Sequence, residues 1–282
     1  MIRHRLGGLA LAVATLSPAG VVAQTASSAA PPSVLTVYRE TVKVGKGGAH
    51  DAHEEGWAGA LQAAKTPSVM LAITAMSGAA ENWYMSLYPS WAAWEKERKA
   101  NDANPALSAI DKKYSAMEGD FLTDGRAMIL TSREDLSYGG PADLAHSRYM
   151  QVTRISVRPG QNAAFEENRK MIKAAHESAK LGDKYSIWQA VGGAPAGTYF
   201  MFIARKSLAE IDENGPMHSS PAYQAALGGA DGQKKMAANT SAAVASQQSD
   251  LFSFAPQQSI PLADWLAADP GYWKRKPAPK KP

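Results

Sequence analysis

The 282-residue chain contains no cysteine. Disulfide staples, thiol nucleophiles, thiolate metal sites and a cysteine-linked lipid anchor are therefore excluded. It also has no apolar run near the ~20 residues that a membrane-spanning helix needs; the run from Leu6 to Leu16 is about half that length. No phosphate loop, dinucleotide fingerprint or Ser-His-Asp arrangement is present, and the pair Gly192-Gly193 is too short to be a nucleotide motif. Net positive charge is confined to the ends. Of the net +4, Arg3 and Arg5 supply +2, and Lys274, Arg275, Lys276, Lys280 and Lys281 supply +5, so residues 24–273 carry 4 − 2 − 5 = −3. A mildly acidic body argues against a nucleic-acid partner.

What is present starts with a leader. Arg3, His4 and Arg5 precede the short apolar run, and Val21-Val22-Ala23 places small residues before Gln24. That is the layout of a cleaved secretory signal, so a periplasmic or secreted location is expected, with cleavage near Ala23. A flexible lead-in spans 24–33.

The body repeats itself. Shifted by 115 residues, Val37 falls on Val152, Arg39 on Arg154, Gly45 on Gly160, Ala60 on Ala175, Lys65 on Lys180, Gly78 on Gly193, Tyr84 on Tyr199, and Asp135-Leu136 on Asp250-Leu251. A fixed internal period is a statement about architecture. It divides the chain into repeat one (34–138), a linker (139–147), repeat two (148–254) and a tail (255–282) that is basic and proline-rich at its end. Each repeat reads strand, helix, strand, strand, helix, strand. The expected closing strands are Glu134 to Tyr138 and Asp250 to Phe254, with Thr123-Asp124-Gly125 breaking the second helical region of repeat one. The βαββαβ order is the ferredoxin-like unit. The fold class is α+β: two tandem units packed sheet to sheet as an intramolecular α/β barrel, each burying the face the other leaves bare. In the tail, Trp265 is expected to dock.

With this repeat length, element order and strand–turn–helix opening (Val-Arg-Pro-Gly-Gln at 157–161), the stretch from Val34 to Phe254 resembles the dimeric α/β-barrel superfamily in a fused, two-repeat form. The short repeats look most like its NIPSNAP-like, EthD-like and antibiotic-biosynthesis-monooxygenase-like groups. The resemblance implies a pocket for a small molecule and, where there is catalysis, a cofactor-independent monooxygenase or isomerase. Fold alone does not assign function. The monooxygenase-like group sets an Asn, a Trp and a His around a substrate pocket; here Asn82-Trp83 opens a strand, but no His follows on the next helix, Ser90 to Asn101. The competing readings are a non-catalytic envelope or stress-related binding protein and a haem protein using His176 or His218. A monomeric pseudo-dimer or a higher homo-oligomer fits the duplication.

Several residues are candidates for a site. Arg39 and Arg154 share a strand face with Leu35 and Val37, and with Met150 and Val152. A charge on an apolar face must be paired or meet a cavity, so the two arginines either grip an anionic ligand or form buried ion pairs. Trp83, Tyr84, Trp188 and Tyr199 are candidates to line an apolar or aromatic ligand's pocket; packing is the plainer alternative. His218 lies in a loop, where functional residues concentrate. His50-Asp51-Ala52-His53-Glu54 is the densest set of potential metal ligands, but as a helix's first turn it reads as a solvated start. No metal or other cofactor is expected, His50 and His53 being the candidates for a metal and haem the alternative.

Overall fold

The computed structural model describes residues 31–214 and 220–276. The expected leader, most of the lead-in, His218 and the end of the basic tail lie outside the described residues. Repeat one runs through β1 (Val34–Val42), α1 (Gly47–Ala63), β2 (Leu71–Ala75), β3 (Glu81–Tyr88), α2 (Trp91–Asp102), α3 (Pro105–Ser115) and β4 (Leu122–Ser132). Repeat two follows with β5 (Tyr149–Val157), α4 (Asn162–Ala179), β6 (Ser186–Gly192), β7 (Thr198–Arg205), α5 (Ala209–Asn214), α6 (Pro221–Ala226), α7 (Gly229–Ala243) and β8 (Val244–Phe254).

The strands close one barrel in the order β1-β3-β2-β8-β5-β7-β6-β4. Each repeat contributes an antiparallel sheet with its first strand between its fourth and third. The two sheets meet through β2–β8 and β4–β6, so no unpaired edge is left to attract another chain. This is the dimeric α/β-barrel fold in a fused form. Strand alternation sends Leu35, Val37, Ile73, Trp83, Leu130, Val152, Phe200 and Phe252 into one buried interior. The other strand face meets the helices; in repeat two that layer is Ile155, Phe165, Ile187, Tyr199 and Met201. No helix among the described residues is long and apolar enough to cross a membrane.

The closing strands differ from expectation. Glu134–Tyr138 is a turn joined to the sheet by one bridge, Tyr138 to Tyr185, and Thr123-Asp124-Gly125 lies inside β4. The first halves of β4 and β8 are exposed and polar. They offer no alternation to read and are held by pairing with β1 and β5. The period also drifts. Val34 pairs with Tyr88 and Thr131, whereas Tyr149 pairs with Arg205 and Ser253. The offset is thus 115 for the opening strand and helix, 117 for the third strand and 122 for the fourth. The matches of Tyr84 with Tyr199 and of Asp135-Leu136 with Asp250-Leu251 are therefore coincidences. By contrast, Gly45 and Gly160 share φ near +79° and +78°, and Lys65 and Lys180 are the described non-glycine residues with positive φ.

The tail is more ordered than its composition suggests. It forms α8 (Ala263–Ala268) and α9 (Pro270–Trp273), the latter capped by Asp269. The fully buried anchor is Trp273, with Trp265 packed beside it at 5.0 Å between ring centroids.

Candidate functional site

Equivalent positions of the two repeats come to the same mouth of the barrel, because β1 and β5 start there and β3 and β7 end there. The pseudo-twofold axis therefore runs along the barrel. At this mouth lies a cavity of about 520 Å³, within the ~300–1,000 Å³ usual for small-molecule sites. Its wall comes in equivalent pairs: Leu35 and Met150, Leu71 and Ser186, Met85 and Phe202, Leu87 and Ala204. Trp188 adds an indole on one side only, and Leu144 and Trp265 cover the opening. Polar groups are few. Glu97 accepts hydrogen bonds from the Tyr88 hydroxyl and from Ser68 Oγ, both at 2.8 Å. Burial, reinforced by Glu97, pushes the Tyr88 phenol well above its ordinary range, so it stays a donor at neutral pH. Lys184 also reaches the cavity.

One turn of the pleat deeper, Trp83 packs against Phe252 at 5.4 Å and Phe200 at 5.9 Å and fills the barrel. Beyond this plug the interior turns polar. Arg39 sits in a two-pronged pair with Glu81, its Nε 2.7 Å from Oε2, and lies 5.8 Å over the Trp83 ring. Glu81 also accepts from Trp83 Nε1 at 2.9 Å. Arg154 has no ion-pair partner among the described residues. Burial and then the Arg39 charge hold its guanidinium below the usual range, with Glu81 and Asp250 acting in the opposite sense. The two arginines thus share the barrel's far end, one of them paired, and neither lines the cavity.

A second unusual place lies outside the barrel, between α1 and the outer face of β1 and β3. His50 Nε2 is 2.7 Å from Glu40 Oε2, and each residue is 1% exposed. Glu54 is buried beside them, with its Oε1 lacking any hydrogen-bond partner. Burial, then the charges of Glu40 and Glu118, push the Glu54 carboxyl up to about 8. Gln258 ties the cluster together: its Nε2 donates to Asp51 Oδ1 at 2.9 Å, and its Oε1 accepts from Asn82 and Tyr84. His53 packs at a tilt against Tyr114 and Phe121, at 5.2 and 5.1 Å between ring centroids. The expected solvated helix start is therefore corrected: this stretch faces the sheet, and His50, His53 and Glu54 are buried while Asp51 stays half exposed.

Of the residues singled out from sequence, Trp188 lines the cavity. Trp83 is the plug below it, Tyr84 belongs to the polar cluster, and Tyr199 packs on Phe165 at 4.7 Å while donating to Glu166 at 2.8 Å. His176 is fully buried among Tyr138, Tyr185 and Tyr223, its Nδ1 bound to the Ile172 carbonyl. It has no open side for a porphyrin. Sequence reasoning missed Glu97, Met85 and Glu40. The inward alternation that pointed to Arg39 also points to Met85 and Phe202; nothing marks Glu97.

The chain is similar in structure to a proposed monooxygenase of Fusobacterium nucleatum, with a TM-score of 0.52 and 14% identity over 80% of this chain and 93% of that one. It is likewise similar to a proposed monooxygenase of Lactobacillus acidophilus, with a TM-score of 0.50 and 10% identity over 82% and 99%. Chlorite dismutase of Candidatus Nitrospira defluvii matches at a TM-score of 0.46, with 11% identity over 80% and 92%. No family model matches the sequence, and no curated protein does. At these identities the likeness establishes the fold.

Proposed function

We propose that this is an exported barrel protein that binds one small, largely apolar or aromatic molecule at the mouth formed by the starts of β1 and β5. The observation that carries the reading is the cavity: a largely apolar chamber whose few polar residues include Glu97, Tyr88, Ser186 and Lys184. Each methylene that a ligand buries there contributes about 0.8 kcal/mol, and a polar end group is met by Lys184 or Tyr88. Trp188 and Trp265 in the wall make binding visible in tryptophan fluorescence. Titration with naphthoquinone, a flavonoid and laurate is expected to give saturable quenching by at least one of them. Ala204→Trp narrows the cavity at its rim and is expected to weaken that quenching in a folded protein. Absence of quenching by the whole panel, or equal quenching of Ala204→Trp, would refute the reading. Export is supported by Arg3, Arg5, the apolar run and the Ala23-Gln24 junction; amino-terminal sequencing of the mature protein is expected to begin at Gln24.

A catalytic form of the same reading is a cofactor-independent monooxygenase. It draws support from the descriptions of the two similar structures and from Glu97, a carboxylate placed to take a proton from a bound aromatic substrate. Oxygen uptake with a bound hydroquinone, lost in Glu97→Gln, supports it.

A further inference from the structure

We propose that Glu40, His50 and Glu54 form a binding site for one divalent first-row transition-metal ion, set between α1 and the barrel of repeat one and separate from the cavity. Each residue offers a ligand atom, and the three atoms lie within 4.8 Å of one another. All three side chains are more than nine-tenths buried. Glu54 Oε1 is left without a hydrogen-bond donor, and the nearest histidine nitrogen, His53 Nε2, stands 3.6 Å off. A buried oxygen without a partner is costly, and a cation would satisfy it.

The duplication supplies an internal control. At the offset of 115 that relates β1 to β5 and α1 to α4, Glu40 corresponds to Ile155, His50 to Phe165, His53 to Asn168 and Glu54 to Arg169. Ile155 and Phe165 belong to an ordinary hydrocarbon layer. The fold therefore builds this helix–sheet interface without two carboxylates and an imidazole, and their presence in repeat one calls for another reason. Charge points the same way. Glu118 and Asp51 lie near the two buried carboxylates, so four acidic groups gather around two histidines, His50 and His53.

The donor set selects the ion. One imidazole and two carboxylates suit manganese, iron, cobalt or zinc, with further positions left for water. Ligand atoms around such an ion stand about 3.3 Å apart, so His50 and Glu40 would separate by roughly half an ångström while Glu54 moves inward. An outer layer is close but not yet engaged, since His50 Nδ1 has no hydrogen-bond partner. The other nitrogen of His50, Nδ1, is 3.8 Å from Asp51 Oδ1, and Asp51 is itself held by Gln258. A carboxylate behind a ligating histidine is the usual arrangement for fixing its ring and tautomer.

The test uses the full chain, stripped with chelator and titrated with Co²⁺. Its absorption reports coordination by nitrogen and oxygen, and competing Zn²⁺ should bleach it. The expected result is one Co²⁺ per chain and a rise in melting temperature. Affinity is expected to fall at least about 100-fold, as for loss of important metal-site contacts, in Glu54→Gln and in His50→Gln. Far-UV circular dichroism checks that both variants fold, and Glu40→Gln serves if either does not. A parent that takes up no Co²⁺ at millimolar concentration overturns the proposal. So does unchanged affinity in the folded variants, which would place the metal elsewhere, for example at His146 and Asp143. Loss of Co²⁺ binding with fluorescent-ligand binding intact separates this site from the cavity.

Discussion

The last residues of the described chain pack onto the barrel, and Trp273→Ala measures how much that packing contributes. Trp273 is fully buried in the same cluster as Phe254 and the interior strand residues. Its ring lies 5.0 Å from Trp265 and 6.1 Å from Phe254, and its Nε1 donates to the Ala145 carbonyl at 2.7 Å. It ties the tail to the segment between the repeats. Neighbours reinforce it: Arg148 pairs with Asp269 and lies 3.7 Å over Tyr272, and Arg275 donates to the Gln257 carbonyl at 2.8 Å. Truncating a fully buried tryptophan costs about 3–5 kcal/mol. For a domain of this size each kcal/mol shifts the melting temperature by roughly 2–4 °C, so a fall of about 6–20 °C is expected. Calorimetry, with urea unfolding as a second probe, reads it. Trp273→Phe keeps much of the packing and loses the hydrogen bond, worth about 1 kcal/mol, and should fall between the two. A loss under about 1 kcal/mol for Trp273→Ala, with an unchanged urea slope, would refute the role given to the tail.

Two further outcomes follow from buried charge. Asp183 and Arg205 form a two-pronged pair at 3.1 and 3.3 Å, each side chain 7% exposed; Asp183→Leu strands a buried guanidinium and is expected to cost about 3–5 kcal/mol, much of it recovered in Asp183→Leu/Arg205→Met, as urea unfolding of the four proteins would show. His176 is held below its ordinary value by burial and, less, by Arg169, so the unfolded chain binds the proton first. Stability should therefore fall as pH drops below about 6.5 and level off beneath the folded-state value, and His176→Leu, which carries the residue found at the equivalent Leu61, should remove that slope. A parent–variant difference that stays constant between about pH 7 and 5 would exclude it.

Much of the architecture was legible because it rests on local pattern repeated twice. Val34–Val42 and Tyr149–Val157 are rich in β-branched and aromatic residues, the glycine turns after them recur, and a βαββαβ order leaves one sheet face to be covered. The closing strands were illegible for an equally physical reason. β4 and β8 project polar, solvent-exposed halves, and their strand character comes from long-range pairing with β1 and β5 that no local window contains. The site was less legible. Alternation showed that Arg39 and Arg154 point inward, but not that Trp83, Phe200 and Phe252 fill the space between them and the cavity. Which inward residues bound a void depends on side-chain volumes summed across all strands. Glu40 was invisible because its significance lies in meeting His50 and Glu54, on a helix that begins after a turn.

The cavity shows what fusion makes available. In a homodimer of identical half-barrels, a pocket on the twofold axis would be lined by identical residues, and a ligand on the axis would have two equivalent poses. Here the equivalent positions differ: Leu35 faces Met150, Leu71 faces Ser186, Met85 faces Phe202, and Leu87 faces Ala204. The third strand of repeat two carries the bulk deep in the cavity and the small residue at the rim. Trp188 has Ile73 as its counterpart, and Ile73 lies in the core without lining the cavity. Covalent linkage lets each half change alone, so an axial pocket becomes one-sided and can favour one pose of an unsymmetrical ligand. The same freedom operates on the outer face, where Phe165 and Ile155 keep a hydrocarbon layer in one repeat while His50 and Glu40 replace it in the other, and Glu54 stands where the second repeat has Arg169. Both departures from symmetry occur where the barrel can spare packing residues. The interior plug around Trp83 and Phe200, which supports both halves at once, keeps equivalent aromatics at the offset of 117.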